Sequence, residues 1–166
     1  MVGPHKLREL DELAKIVTEE QQAGRKVVFT NGCFDIIHTG HILYLQAARK
    51  LGDALVVALN SDKSVRELKG PTRPIKGQEE RALILAAMDA VDYVVIFDTL
   101  RATPVIQAVQ PDVYVKGGDY TLETLDPEER AALEECGAQI VILPEIKGFS
   151  TTKVIQQVRN IAAPDT

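Results

Sequence analysis

Two histidines follow the first predicted strand of this chain. The segment reads Asn31-Gly32-Cys33-Phe34-Asp35-Ile36-Ile37-His38-Thr39-Gly40-His41. At the start of a predicted helix, this spacing places both imidazoles about one turn apart on one face. A helix start exposes unpaired N–H groups and a partial positive charge, which suit anions. Because Gly40 also leaves room for a phosphate to approach the backbone, we interpret the segment as a phosphate-binding turn with two imidazole donors.

Other interpretations of this segment fit the sequence less well. A zinc site needs four ligands, and His5 is the only further histidine. The two histidines could instead do no more than cap the helix. The phosphate-loop signature G-x-x-x-x-G-K-[ST] and the dinucleotide signature G-x-G-x-x-G are both absent from the sequence, which disfavours a P-loop kinase and an ordinary NAD enzyme.

The elements that must position the histidines alternate between short apolar strands and amphipathic helices. Predicted strands cover residues 26–30, 54–59, 93–97, 113–116 and 139–143. Predicted helices cover residues 7–23, 41–51, 63–68, 78–90, 103–109, 126–136 and 151–161, with a loop at 70–77. Asp126 is the expected N-cap of one helix, with Pro127 at its first position, and Ser150 is the expected cap of the last helix.

This alternation predicts an α/β fold: a single Rossmann-like doubly wound domain with a five-stranded parallel sheet and helices on both faces. We expect one domain over residues 1–166, in which 1–25 form an N-terminal helix and lead-in and 26–160 form the catalytic core. Ligands of such sheets bind beyond the carboxyl ends of the strands, so the segment after the first strand lies where a site is expected.

Composition excludes several classes of function. The chain has 166 residues, with 24 acidic and 19 basic side chains and a net charge of −5, which argues against binding of nucleic acid or of an anionic membrane. No apolar run approaches the roughly 18 residues of a membrane span, and no secretory pattern begins the sequence. Cys33 and Cys136 are too few for a disulfide scaffold, so a reducing, cytoplasmic compartment is expected.

A second motif, Phe149-Ser150-Thr151-Thr152-Lys153, opens the last predicted helix. Hydroxyls and free N–H groups at a helix start suit phosphate oxygens. With this motif and the His38-Thr39-Gly40-His41 motif, the chain resembles the cytidylyltransferase-like nucleotidyltransferases. That family carries an H-x-G-H motif after its first strand and an I-S-T-T motif at its last helix. The resemblance covers nearly the whole chain.

Within that family, the chain is similar to adenylyltransferases that make ADP-heptose from D-glycero-β-D-manno-heptose 1-phosphate and ATP. It looks like a free-standing counterpart of the second half of bifunctional kinase–adenylyltransferases. Matching stretches lie at residues 28–35, 60–62, 68–70, 73–75, 80–81 and 115–120. The resemblance implies transfer of AMP from ATP to a sugar 1-phosphate. Mg²⁺ is expected as the ion carried by ATP, since no carboxylate cluster in the sequence clearly forms a dedicated metal site. Relatives are often dimers, so a homodimer is expected.

The resemblance also implies roles for individual residues. The catalytic set is His38, His41 and Arg81, where the histidines contact ATP phosphates and Arg81 holds the phosphates or the second substrate. The nucleotide-binding set is Asn31, Gly32, Cys33, Phe34, Gly40, Lys116, Gly117, Asp119, Ser150, Thr151 and Thr152. The substrate-binding set is Asp35, Asn60, Lys69 and Arg73. Asp35 could orient an imidazole, bind substrate hydroxyls or bind a metal, and the sequence does not choose among these.

Four alternatives remain at this stage. Glycerol-3-phosphate cytidylyltransferases usually carry an arginine in R-T-E-G-I-S-T-T, where this chain has Glu145-Ile146-Lys147-Gly148-Phe149-Ser150-Thr151-Thr152. Phe149 also departs from the tyrosine or cysteine that heptose enzymes often have. Archaeal-type FAD synthetases share the first motif. A nucleotide-binding module without turnover would keep the cleft but lose a histidine, and a plain protein-interaction domain would leave both motifs unexplained.

Overall fold

The computed structural model describes residues 4–162, and a five-stranded parallel sheet forms its centre. The strands are β1 Val27–Gly32, β2 Ala54–Asn60, β3 Tyr93–Phe97, β4 Val113–Lys116 and β5 Gln139–Ile142. Their order is β3-β2-β1-β4-β5, with Val28 of β1 paired to Leu55 on one side and to Val113 on the other. The strand order therefore reverses between β1 and β4, which is where a doubly wound sheet opens a ligand crevice.

Helices cover both faces of the sheet. They are α1 Leu10–Gln22, α2 Thr39–Arg49, α3 Asp62–Lys69, α4 Gln78–Ala86, α5 Thr103–Val109, α6 Pro127–Glu135 and α7 Thr151–Ala162. Because side chains alternate along a strand, Phe29 packs with α1, α5 and α6 on one face, whereas Val28 packs with α2 and α4 on the other. Both faces of the strands are apolar for this reason, and the predicted α/β architecture is confirmed.

Several helix boundaries differ from the prediction, and three of these differences are tied to specific local contacts. The first helix begins at Leu10 rather than at residue 7, because Leu7 bridges to Val94 and the Arg8 N–H donates to the Val94 carbonyl at 2.9 Å, covering the open edge of β3. The second helix begins at Thr39, since His38 is its N-cap. The helix predicted over 78–90 ends at Ala86, after which the chain continues in tight turns.

The predicted helix caps are confirmed at both positions. The Asp126 carboxylate accepts from the N–H groups of Glu128 and Glu129, with Pro127 as the first residue of α6. The Ser150 hydroxyl oxygen accepts from the Lys153 N–H at 3.1 Å, just before α7. Within residues 4–162, no helix is long and apolar enough to cross a membrane.

Candidate active site

A cleft of about 980 Å³ opens beyond the carboxyl ends of β1 and β4. It brings together most of the residues that the sequence predicted for a site. Those that line it are Asn31, Gly32, Cys33, Phe34, Asp35, His38, Gly40, His41, Asn60, Lys69, Arg73, Lys116, Gly117, Thr151 and Thr152. Three predicted residues, Arg81, Asp119 and Ser150, do not line it.

The two histidines are held by the backbone at the start of α2. The N–H of Gly40 donates to Nδ1 of His38 at 3.1 Å, and the N–H of His38 donates to Nδ1 of His41 at 3.3 Å. The imidazole rings lie 3.9 Å apart between centroids, and the His41 ring lies 5.4 Å from the Phe34 ring. In a neutral imidazole whose Nδ1 accepts, the proton is on Nε2, so each ring presents an Nε2–H donor.

The same packing keeps both imidazoles uncharged. Burial lowers the pKa of His38 below its ordinary value. Burial, together with the neighbouring His38, lowers the pKa of His41 to about 4. Both rings are therefore neutral near pH 7, and they donate hydrogen bonds without carrying charge.

Gly40 is the point at which the two motifs meet. A Cβ on Gly40 would lie 2.9 Å from Cε1 of His38 and 2.9 Å from Cβ of Phe149, so a side chain there would push the segments apart. This close approach places the start of α7 against the start of α2. Thr151 and Thr152 consequently line the same cleft as the histidines, whereas the Ser150 hydroxyl is used to cap α7.

Two further glycines let rings lie directly against the backbone of the cleft. A Cβ on Gly32 would lie 2.9 Å from the Phe34 ring, and one on Gly117 would lie 2.7 Å from the Tyr44 ring. The Tyr44 hydroxyl pairs with Thr30 at 2.7 Å and donates to the Val115 carbonyl at 3.1 Å, which ties α2 to β1 and β4. Sequence reasoning missed Tyr44, although its place one turn after His41 on α2 could have indicated it.

Lys116 ends β4 inside the cleft. Its Nζ lies 3.4 Å from the Asn31 carbonyl and 4.8 Å from the centre of the Tyr120 ring. Burial lowers the pKa of this ammonium, and the nearby Glu129 opposes that change. Glu129 is itself buried and accepts from the Ala102 N–H at 2.8 Å, and sequence reasoning missed it because its long-range partner lies on another segment.

Asp35 connects the β1–α2 turn to the loop after α3. Its carboxylate accepts from Nε of Arg73 at 2.5 Å, from the Ile75 N–H at 2.9 Å and from the Lys76 N–H at 3.0 Å. Burial raises the pKa of Asp35, but these hydrogen bonds outweigh burial and the pKa lies below its ordinary value. The carboxylate is thus ionised and occupied by protein donors rather than directed at an imidazole.

Arg81 lies behind the cleft, not in it. Its side chain is fully buried, and its guanidinium donates to the carbonyls of Lys76, Cys33 and Asn60 and to the Asp62 carboxylate, at 2.7–2.9 Å. These bonds engage all three nitrogens of the side chain, so the geometry does not support the predicted role of Arg81 as a phosphate ligand. The resemblance identified the residue but could not reveal its burial.

The potential metal ligands that line this cleft are not clustered. Among the described residues, no group of three or more His, Cys, Asp or Glu side chains is placed to hold a metal ion. The carboxylates of Asp35 and Asp126 are occupied by Arg73 and Arg101, respectively. The Cys33 thiol lines the cleft, and burial raises its pKa, which fits a neutral filler better than a thiolate ligand.

A parallel α/β sheet with neutral donors and two helix starts around a crevice at its switch point is an arrangement typical of domains that bind nucleotide phosphates. The family model for cytidylyltransferase-like proteins matches residues 29–157. The chain belongs to the cytidylyltransferase-like family, as its motifs indicated.

Two curated relatives are similar to nearly the whole chain. The chain is 49% identical over 156 residues to the bifunctional protein HldE of Geobacter sulfurreducens, covering 94% of this chain and 31% of that protein. It is 51% identical over 154 residues to the bifunctional protein HldE of Geotalea uraniireducens, covering 93% and 31%. The chain thus spans about a third of the length of these curated relatives.

A solved structure also resembles this fold. The lipopolysaccharide core biosynthesis protein from Thermoplasma volcanium aligns with a TM-score of 0.61 and 29% identity, covering 76% of this chain and 100% of that chain.

Proposed function

We propose that this chain transfers AMP from ATP to D-glycero-β-D-manno-heptose 1-phosphate, giving ADP-heptose and pyrophosphate. The observation that carries the proposal is the pair of neutral Nε2–H donors of His38 and His41, which share one cleft with Thr151 and Thr152 across Gly40. Donors from two helix starts converge there on a space suited to a triphosphate.

The chemistry requires little acid–base help from the protein. A phosphate oxygen of the sugar 1-phosphate attacks the α-phosphorus of ATP, and a new O–Pα bond forms. The bond from Pα to the oxygen that bridges the β-phosphate breaks, and pyrophosphate leaves with that electron pair. Because the attacking phosphate is already ionised near pH 7, catalysis consists of positioning and of stabilising charge on the phosphate oxygens. His38 and His41 donate to those oxygens, and Thr151 and Thr152 bind the departing phosphates.

The choice of acceptor is supported by similarity. The HldE relatives and the lipopolysaccharide core protein agree with the resemblance to heptose adenylyltransferases. Mg²⁺ would come with the phosphates of ATP, as it does at many nucleotide sites, rather than from a protein cage. We further propose a reducing, cytoplasmic setting, which the unpaired thiols of Cys33 and Cys136 support, and a homodimer as the working form.

The proposal is tested by measuring pyrophosphate release with each nucleoside triphosphate against two acceptors, heptose 1-phosphate and glycerol 3-phosphate. We expect turnover with ATP and heptose 1-phosphate, and formation of ADP-heptose by mass spectrometry. A preference for CTP with glycerol 3-phosphate would assign the chain to cytidylyl transfer instead. Nucleotide binding without pyrophosphate release from any pair would indicate a binding module.

A further inference from the structure

The loop between α3 and α4 contributes positive charge to the cleft. Its Arg73 side chain lines the cleft and is 21% exposed. Arg81, on α4, is fully buried and does not reach the cleft. The two arginines therefore differ in what they can contact, although the sequence presents both as candidate phosphate ligands.

The Asp35 carboxylate holds the Arg73 side chain in place. The Asp35 side chain is 1% exposed, and its Oδ2 receives the Nε–H of Arg73. The same carboxylate receives the N–H groups of Ile75 and Lys76, so it holds the loop backbone as well as the guanidinium. Since Asp35 lies three residues before His38, this contact sets Arg73 in a defined position relative to the imidazoles.

Arg81 holds the same loop from the opposite side. Its Nε donates to the Lys76 carbonyl at 2.9 Å, and its Nη1 donates to the Cys33 carbonyl at 2.7 Å. Residues 73–76 and the turn at 33–35 are thus joined twice, once through Asp35 and once through Arg81. The loop that carries Arg73 is therefore built into the wall of the site.

The Arg73 guanidinium keeps its terminal nitrogens for another partner. Only Nε is hydrogen-bonded among the described residues, and Nη1 and Nη2 have no acceptor there. A guanidinium fixed through Nε still offers the paired donors that match two phosphate oxygens. Resting on the proposed function, we infer that Arg73 is the arginine that binds substrate phosphate, and that Asp35 is its positioning residue.

This arrangement has a chemical consequence. A cation held in place before substrate arrives needs no reorientation when charge develops on the phosphate, which is the condition for strong electrostatic stabilisation. Two phosphorylated substrates enter the cleft in the proposed reaction, the nucleotide with its triphosphate and the acceptor with its single phosphate. Both present the oxygen pair that Arg73 would recognise, so the test has one arm for each.

The variants for the test are Arg73→Ala, Asp35→Asn, their combination and Arg73→Lys. Arg66→Ala is the matched control, because Arg66 is an exposed arginine on α3 outside the cleft. Isothermal titration with pyrophosphate and, separately, with heptose 1-phosphate measures binding without turnover, and steady-state kinetics give kcat and KM for each substrate. Urea unfolding verifies that each variant is folded.

We expect Arg73→Ala to lower affinity or kcat/KM about 100-fold in the arm whose phosphate it binds. Arg73→Lys should lose at least about tenfold, since a lysine cannot bond Asp35 and chelate two oxygens together. Asp35→Asn should lose about tenfold in the same arm, and the double variant should be no worse than Arg73→Ala, because a positioning residue acts only through its partner. Arg66→Ala should match the wild type.

Wild-type values in both arms for Arg73→Ala would overturn the inference. A double variant that shows the full product of the two single losses would overturn the role of Asp35. If Asp35→Asn does not fold, the loss of affinity or of kcat/KM in Arg73→Lys decides whether a guanidinium bonded to Asp35 is required. If the wild type binds pyrophosphate but not heptose 1-phosphate, the proposed acceptor has failed, and the pyrophosphate arm alone decides the role of Arg73.

Discussion

Substitutions of His41 can test its proposed role as a hydrogen-bond donor to phosphate, because its two ring nitrogens make different contacts. Nδ1 accepts the His38 N–H at 3.3 Å within the cap of α2, and Nε2–H is left for a ligand in the cleft. An asparagine side chain can place its amide oxygen near the position of Nδ1, whereas a glutamine can place its amide nitrogen near Nε2. His41→Asn therefore removes the donor and keeps the cap, and His41→Gln keeps the donor and weakens the cap.

The expected magnitudes differ accordingly. Losing one preorganised donor to a developing oxyanion lowers kcat about 10²- to 10³-fold, or about 3–4 kcal/mol, which is the expectation for His41→Asn. Losing a helix cap lowers the free energy of unfolding by about 1 kcal/mol, which is the expectation for His41→Gln. The glutamine variant should retain more turnover than the asparagine variant.

The assay is pyrophosphate release at saturating ATP and acceptor, with urea unfolding of the same samples. The wild type and the two variants then give two independent orderings, one in kcat and one in stability. Turnover by His41→Asn within threefold of the wild type would refute the donor role. A larger stability loss in His41→Asn than in His41→Gln would refute the assignment of Nδ1 to the cap.

Three further perturbations test the surrounding structure. Gly40→Ala should weaken ATP binding measured by titration, because its Cβ would lie 2.9 Å from both His38 and Phe149. Gly77→Ala is the control, because its φ is negative and a Cβ there would meet only Asp62 Oδ2, at an ordinary contact distance of 3.9 Å. The free energy of unfolding should fall by up to about 3 kcal/mol as pH drops from about 6.5 to about 4. The reason is that the pKa of His41 is about 4 in the folded chain and about 6.5 in the unfolded chain, so that only the unfolded chain binds a proton on His41 in this range. A flat profile in urea titrations would contradict this. Arg81→Met should lose about 3–5 kcal/mol in the same measurement by stranding Asp62 and buried carbonyls.

The sequence was sufficient to predict the fold because the strands are apolar, and the central strands are buried on both faces. Continuous apolar runs such as residues 54–59 leave few alternatives to a central parallel strand, and turn residues separate them from helices. Errors were confined to the ends of helices and strands, where local geometry decides. His38 joined the second helix as its cap, since its own side chain accepts from the Gly40 N–H.

Within the site, the sequence indicated which residues belong there better than it indicated which atoms their side chains contact. The spacing of three positions at a helix start was enough to predict that His38 and His41 lie together, because residues so spaced share one helix face. The partners of Arg81 are scattered from Cys33 to Lys76, and no pattern in one sequence shows that these carbonyls converge on a buried guanidinium. Asp35 was left open for the same reason, since its partners lie about 40 residues further along the chain.

The spacing of the two histidines also contributes to keeping their rings neutral. With only two residues between them at a helix start, the rings come to lie 3.9 Å apart, and two imidazolium charges at that distance would repel strongly. Burial is the larger cause and the neighbouring His38 the smaller one, and together they lower the pKa of His41 to about 4. The imidazoles then donate directional hydrogen bonds but carry no charge. A cation that balances the negative charge of the phosphates must therefore come from another residue. Arg73, hydrogen-bonded to Asp35 in the same cleft, is in a position to supply it.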